Sequence, residues 1–253
     1  MQENCKIIKK SILAAGIFDF WLLCPGMAAT AQPGQFLHIL CGDKPLRRPI
    51  SICEINKSGE ALRIVFEVRG EGTKWMGEQP EGRSLDVLGP LGRGFDVSGA
   101  RGGGHAMFVG GGIGVPPLLE AAKAYGKNAG IFLGFKSRET AILIDDFKRF
   151  AGEVIIATDD GSMGSRGFIT DAVSRNIGQY KTVYACGPLP MLAKTARIAG
   201  QNGVPCFVSM EERMGCGVGA CLVCACKTKG AGGETYSHVC KDGPVFNAEE
   251  VVW

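Results

Sequence analysis

Four cysteines near the C-terminal end, Cys216, Cys221, Cys224 and Cys240, constrain this chain more than any other feature. The first three read C-x4-C-x2-C, and the fourth follows after fifteen further residues. Three thiolates on one short loop with a fourth from a distant segment is the ligand pattern of a plant-type [2Fe–2S] cluster. The loop, Met214-Gly215-Cys216-Gly217-Val218-Gly219-Ala220-Cys221-Leu222-Val223-Cys224, is rich in small residues. Such a backbone curls tightly and aims N–H groups at sulfur, which tunes a cluster's potential. Zinc is the alternative. It is usually held by paired C-x2-4-C knuckles, which a single run and one distant cysteine fit less well. That alternative makes the chain a non-enzymatic zinc-binding module. Cys226 is a substitute ligand or, by default, a plain buried thiol. On the iron–sulfur reading the chain moves electrons one at a time.

The chain has 253 residues, enough for two compact domains or one large one, and 45% of them are hydrophobic. Its eleven cysteines are odd in number and irregular in spacing, which suits a reducing compartment, the cytoplasm, better than a disulfide framework. Cys5, Cys24, Cys41, Cys53, Cys186, Cys206 and Cys226 then default to small buried hydrophobes. Lys and Arg outnumber Asp and Glu by 28 to 25, and a net charge of +3 is too small to favour nucleic acid. Lys9-Lys10 ahead of the apolar stretch 12–23, with Ala29-Thr30-Ala31 beyond it, imitates a secretion signal. Asp19 interrupts that stretch, which reads instead as two short strands divided at Ala15-Gly16. No other segment approaches the roughly 18 uninterrupted apolar residues of a membrane span.

Residues 1–100 are strand-like and rich in turns. Short apolar runs at 6–14, 17–23, 35–41, 49–54, 62–68 and 84–88 are punctuated by Pro25-Gly26, Pro33-Gly34, Gly42-Asp43 and Gly89-Pro90. About six closely spaced strands without long helices predict a small antiparallel barrel. Residues 101–210 alternate strands at 105–109, 131–135, 153–158, 182–186 and 206–209 with helices at 116–125, 145–150, 169–176 and 190–199. That alternation predicts a parallel sheet in an α/β domain. Residues 211–253 carry the cysteines and leave little room for regular structure, so metal is expected to organise them.

Two further constellations bear on ligands. Arg48-Pro49-Ile50-Ser51 sets a cation beside a rigid proline and a hydroxyl, which suits a cofactor with a phosphate end and a ring end. Downstream, Gly70-Glu71-Gly72-Thr73 opens a short helix at 74–77, and such a helix start is an anion site. The second is Gly110-Gly111-Gly112-Ile113-Gly114-Val115-Pro116-Pro117. It follows a strand and precedes a helix, as a nucleotide-binding glycine turn must, although Pro117 takes the last position of G-x-G-x-x-G. A strand–helix turn without a ligand is the plainer alternative. Thr158-Asp159 and Cys186-Gly187 stand at the C-terminal ends of the third and fourth strands of this section, the edge where open α/β sheets hold ligands. His38, His105 and His238 are read as structural or solvated. The adjacent pairs Asp145-Asp146, Asp159-Asp160 and Glu211-Glu212 point apart, so no acid/base dyad, and no catalytic residue, is assigned.

The order of barrel, nucleotide fold and cysteine run, with R-P-I-S, G-E-G-T, G-G-G-I-G-V-P-P and C-G-P-L-P-M-L, resembles the ferredoxin-NADP reductase superfamily. Within it the chain is most similar to the electron-transfer subunits of dihydroorotate dehydrogenase B. Gly89-Pro90-Leu91-Gly92-Arg93-Gly94-Phe95, the run 212–221 and Cys240-Lys241-Asp242-Gly243-Pro244-Val245-Phe246 strengthen that match. The resemblance implies FAD between a barrel at 1–100 and a nucleotide domain at 101–210. Arg48, Pro49, Ile50 and Ser51 would touch it, and Val65, Phe66, Glu67, Gly72 and Thr73 would hold the rest. Relatives often carry Arg at the position of Glu67, whose carboxylate cannot pair with pyrophosphate. Arg69 is the expected substitute. NAD would meet Gly110, Gly111, Gly112, Gly114, Thr158, Asp159, Cys186 and Gly187. Cys216, Cys221, Cys224 and Cys240 of the section 211–253 would hold the [2Fe–2S] cluster. The resemblance further implies a separate FMN-containing dihydroorotate dehydrogenase catalytic subunit, in a heterotetramer of two of each, serving pyrimidine biosynthesis. The small flavin and iron–sulfur subunit of an NADH-dependent ferredoxin:NADP oxidoreductase or sulfide-dehydrogenase-like complex is the competing reading.

Overall fold

The computed structural model describes residues 1–230 and 232–253. Six strands close into an antiparallel barrel: β1 (Gln2–Ala14), β2 (Ile17–Leu23), β3 (Phe36–Ile39), β4 (Arg48–Asn56), β5 (Ala61–Glu67) and β6 (Ser84–Leu91), in the order β1-β2-β5-β4-β3-β6. The stretch that imitates a secretion signal is therefore a β-hairpin, turning at Gly16 with φ +73°. Ile7, Phe20, Leu22, Leu37, Ile39, Ile52, Ile64, Phe66 and Val87 fill the interior. Helix α1 (Pro25–Thr30) was not expected, because Pro25-Gly26 reads as a turn. Pro25 instead opens the helix, where its missing N–H is harmless, and Met27 and Ala28 are buried in the barrel core. Helix α2 (Glu71–Glu78) lies between β5 and β6.

The second unit is a parallel sheet of β7 (Ala106–Gly111), β8 (Ala129–Phe135), β9 (Glu153–Thr158), β10 (Ser165–Arg166), β11 (Thr182–Cys186) and β12 (Cys206–Ser209). Helices α3 (Leu118–Tyr125) and α4 (Ile144–Lys148) share one apolar core with the barrel residues Ile17, Cys53, Val65 and Phe95. Helices α5 (Ile169–Asn176) and α6 (Leu189–Gln201) belong to a second core, which also takes in Cys224, Cys226, Val239, Cys240, Phe246 and Val251 from the cysteine section.

That section is more regular than expected. Strands β13 (Ala225–Gly230) and β14 (Gly233–His238) form a hairpin, and β15 (Val245–Asn247) pairs antiparallel with β12. The sheet order is thus β10-β9-β8-β7-β11-β12-β15. Strand pairing and apolar packing, not metal alone, hold residues 225–253. Among the described residues no helix is long and apolar enough to cross a membrane. The seven cysteines outside the expected ligand set are all buried and unbridged.

Candidate functional site

The loop 211–224 turns through left-handed backbone at Gly217 (φ +76°), Gly219 (φ +80°) and Leu222 (φ 63°). Its amides converge on sulfur. Val218 and Ala220 N–H donate to Cys216 Sγ at 3.4 and 3.2 Å, and Gly219 N–H donates to Cys240 Sγ at 3.1 Å. The cysteines associate in two pairs. Cys216 N–H donates to Cys221 Sγ at 3.4 Å, and Cys240 N–H donates to Cys224 Sγ at 3.4 Å. Among the described residues, no three His, Cys, Asp or Glu side chains converge on one point. Two thiolate pairs served by amide donors fit a two-iron cluster, in which each iron takes two cysteines, better than one tetrahedral zinc. Burial pushes the Cys216 thiol up, but the Val218 and Ala220 amides and Cys221 outweigh it and leave the pKa lowered to about 6. Burial, and then contact with Cys224, pushes Cys240 up to about 12. Cys221 is exposed while Cys224 and Cys240 are buried, so one pair faces solvent and the other the core. Cys226 points into that core from β13, its thiol pushed up by burial.

On the barrel, the Arg48 side chain lies against Gly72. A methyl group on Gly72 would fall 2.5 Å from Arg48 Nε, so glycine lets the guanidinium lie across the start of α2. Thr73 Oγ1 accepts from Arg69 N–H at 2.9 Å and donates to Gly70 O at 3.2 Å, fixing that helix start. Val65 and Phe66 are buried, and the Phe66 ring packs against Phe18 and Phe20. With both side chains turned into the core, only the backbone of these two residues is left to face a ligand. Glu67 Oε2 accepts from Arg69 Nε at 2.7 Å. The carboxylate thus holds the very guanidinium expected to take over its phosphate contact.

At the C-terminal edge of the parallel sheet, the turns after β7 and β11 pack backbone to backbone. A methyl group on Gly114 would lie 2.5 Å from Gly187 Cα, and one on Gly111 would lie 2.7 Å from Met191 Sδ. These glycines serve close packing of the two turns. Gly112, at φ +52° with open space around it, is the one free to present its amide to a ligand. Gly114→Ala should cost about 1–3 kcal/mol, the usual range for overpacking, in denaturant unfolding. It should also raise KM for NADH while flavin and iron content stay unchanged. Thr158 is committed internally: its hydroxyl donates to Met163 O at 2.9 Å. Asp159 is exposed beside it. Cys186 is buried and its thiol is driven upward by that burial.

Glu211 follows β12, and the sequence alone marks it as no more than half of an adjacent carboxylate pair. The residue is exposed, yet desolvation of its carboxyl pushes its pKa up, with Arg69 pulling it down. It lies close enough to Cys186 to raise that thiol as well. It stands just past a strand end, on the edge where open α/β sheets hold ligands.

The barrel order ties these parts together. Strand β5 touches the Gly112–Gly114 turn, and β3 carries His38, whose imidazole abuts Gly217 of the cysteine loop. Strand β4, with Arg48-Pro49-Ile50-Ser51, lies between β5 and β3. His38 is fully buried, and burial, with Arg47 and Arg48 nearby, lowers its pKa to about 4.

A closed barrel docked on an open parallel sheet, with an anion cradle on one and a glycine turn on the other, defines an electron-transfer protein of the ferredoxin-NADP reductase type. The solved structure of an NADH-dependent reduced ferredoxin-NADP oxidoreductase matches with TM-score 0.87 and 31% identity over 99% of this chain and 90% of that one. A ferredoxin reductase in carbazole 1,9a-dioxygenase, TM-score 0.67 and 23% identity over 81% of this chain and 67% of that one, shares the fold alone. The family model described as the iron-sulfur cluster binding domain of dihydroorotate dehydrogenase B matches residues 211–252. The dihydroorotate dehydrogenase B (NAD(+)) electron transfer subunit of Fusobacterium nucleatum subsp. nucleatum is 44% identical over 98% of both chains. Its counterpart in Geobacillus thermodenitrificans is 43% identical over 99% of this chain and 98% of its own. The chain belongs to the family of dihydroorotate dehydrogenase B electron transfer subunits.

Proposed function

We propose that this chain carries electrons between a dihydroorotate-oxidising catalytic subunit and NAD+, with the three sections 1–100, 101–210 and 211–253 serving FAD, NAD and a [2Fe–2S] cluster in turn. One observation carries the reading: β4 stands between the glycine turn reached by β5 and the cysteine loop reached by β3. A flavin bound there supplies the exchange between the single-electron traffic of an iron–sulfur cluster and the two-electron chemistry of a nicotinamide.

The chain's own residues bind and orient. Arg48 and the start of α2 take the pyrophosphate, Ser51 and the backbone of Val65 and Phe66 face the ring system, and Arg69 is steered by Glu67. Gly112 presents its amide to the dinucleotide. Cys186, Gly187 and Glu211 flank the nicotinamide end. Cys216 with Cys221, and Cys224 with Cys240, hold the two irons.

NAD rather than NADP suits the end of β9. Arg138 Nε donates to Ser162 O at 3.1 Å, so its guanidinium is already engaged. The Ser162 hydroxyl and amide hold Asp160 below the usual carboxylate range, and an ionised Asp160 beside Asp159 repels a 2′-phosphate. The partner is the FMN-containing catalytic subunit, in a heterotetramer of two of each. Eleven unbridged cysteines favour a cytoplasmic, reducing setting.

Arg48→Ala should remove a charge-assisted contact worth about 1.5–3 kcal/mol, weakening FAD binding roughly 10- to 100-fold. Flavin content after gel filtration checks this, and full retention of FAD takes Arg48 out of the site. The whole reading is tested by isolating the chain anaerobically, assaying iron, sulfide and FAD, and adding a catalytic subunit with dihydroorotate and NAD+. Orotate-linked NADH formation is expected. A protein without iron and sulfide, or one that never couples to that subunit, overturns it. The match to the NADH-dependent ferredoxin-NADP oxidoreductase structure favours a second reading, in which the partner is a large flavoprotein. Copurification separates the two.

A further inference from the structure

Strand β3 carries a buried polar side chain that makes the contact with the cysteine loop yet has no chemical role in the scheme above. His38 pairs with Pro49 of β4 on one side and Leu88 of β6 on the other, and it is 0% exposed. Neither ring nitrogen has a hydrogen-bond partner among the described residues. A buried imidazole seldom persists unpaired, because desolvating its N–H is unfavourable without an acceptor. What the ring does meet is the cysteine loop. A methyl group on Gly217 would fall 2.6 Å from His38 Nδ1 and 3.3 Å from Cε1, so this edge of the imidazole lies against Gly217. Gly217 is flanked by Cys216 and by Val218, whose amide donates to Cys216 Sγ.

The geometry points to His38 as a positioning residue whose unpaired ring N–H supplies a hydrogen bond to sulfide of the cluster where the ring meets the Gly217 turn, and thereby raises the cluster's potential. In either protonation state the ring carries at least one N–H. The loop amides around Cys216 come from Val218 and Ala220, both within the loop. His38 adds a donor from a different element, the barrel strand next to Arg48-Pro49-Ile50-Ser51. Hydrogen bonds to cluster sulfurs favour the reduced, more negative state. One side chain therefore ties the potential of the cluster to the barrel's seating against it. The absence of a side chain at Gly217 is what lets the ring approach, and its left-handed φ of +76° reinforces the need for glycine there.

This inference rests on the cluster assignment proposed above, and its test separates the two. The full chain is isolated anaerobically, and iron and sulfide are measured first. Their absence from the wild type sinks the functional reading itself. On an iron-replete wild type, the reduced cluster is titrated by EPR alongside His38→Phe, which fills the volume without an N–H, and His38→Gln, which keeps a donor. The expected result is a lower midpoint potential and altered g-values for His38→Phe, with His38→Gln restored toward the wild type. Retention of iron by His38→Gln but not by His38→Phe also supports a required donor. Coincident titrations for wild type and His38→Phe overturn the inference. So do equal shifts in both variants, or loss of iron from both, since the ring then acts through packing alone.

Discussion

Cys221→Ser should give a chain that reduces dyes with NADH yet passes almost nothing between its partner and NAD+. Cys221 is the exposed member of its pair, and its sulfur accepts from the Cys216 amide. Replacing that thiolate with a hydroxyl removes one of four ligands, and a cluster depends on the full set. Partner-linked NAD+ reduction should fall by more than about 100-fold, because no other proposed group links the flavin to a one-electron donor. The flavin region should survive. The cysteine section is held independently by β15 on β12, by the β13–β14 hairpin, and by Val239, Phe246 and Val251 in the α5–α6 core. Iron should therefore drop while FAD content and NADH-to-ferricyanide activity remain near wild type. Parallel loss of FAD and iron would mean that the cluster organises the whole molecule, contrary to this division of labour.

Much of this arrangement was legible in the sequence, and the reasons differ from element to element. Helix α5 and strands β2, β9 and β11 end where expected because Gly, Pro or Asp follows each within two residues. The cysteine spacing survives translation into structure because C-x4-C-x2-C is local: one loop sets Cys216 against Cys221 and presents Cys224 to Cys240. The β13–β14 hairpin was overlooked, although its pattern was present: Cys226 and Thr228 point inward while Lys227 and Lys229 point out. The expectation that metal would organise the segment displaced that period-2 signal. Helix α1 was hidden by a Pro-Gly pair that fits a turn equally well. Other features are illegible in principle. Gly217 is a small residue in a glycine-rich loop until the fold brings His38 against it. Glu67 reads as a defect in a phosphate site until the fold puts Arg69 in its grip.

Arg63 belongs to that second class, and its removal should be among the most destabilising single changes in the protein. The residue sits in β5, 7% exposed, amid otherwise apolar strand neighbours. Its guanidinium donates through Nε and Nη2 to both oxygens of Asp19, each at 2.9 Å. Its Nη1 reaches Glu54 at 3.2 Å and Asp146 of α4 at 2.9 Å. Lys123 of α3 extends the network to Glu54 at 2.6 Å, and the Ile55 amide donates to Glu120 of α3 at 3.1 Å. These contacts bind the barrel to the helices that cover the nucleotide sheet, so they set the spacing between β4 and the glycine turn. Arg63→Met leaves Asp19 buried without a counter-charge, a loss of about 3–5 kcal/mol for a broken buried pair. The double variant Asp19→Leu/Arg63→Met should recover most of it, since Glu54 keeps Lys123 and Asp146 keeps Arg149 at 3.5 Å. Denaturant unfolding of the two variants and the wild type decides the matter. A single variant within about 1 kcal/mol of wild type would place Arg63 with the weak surface pairs. A double variant no better than the single would show that Asp19 was never the penalty.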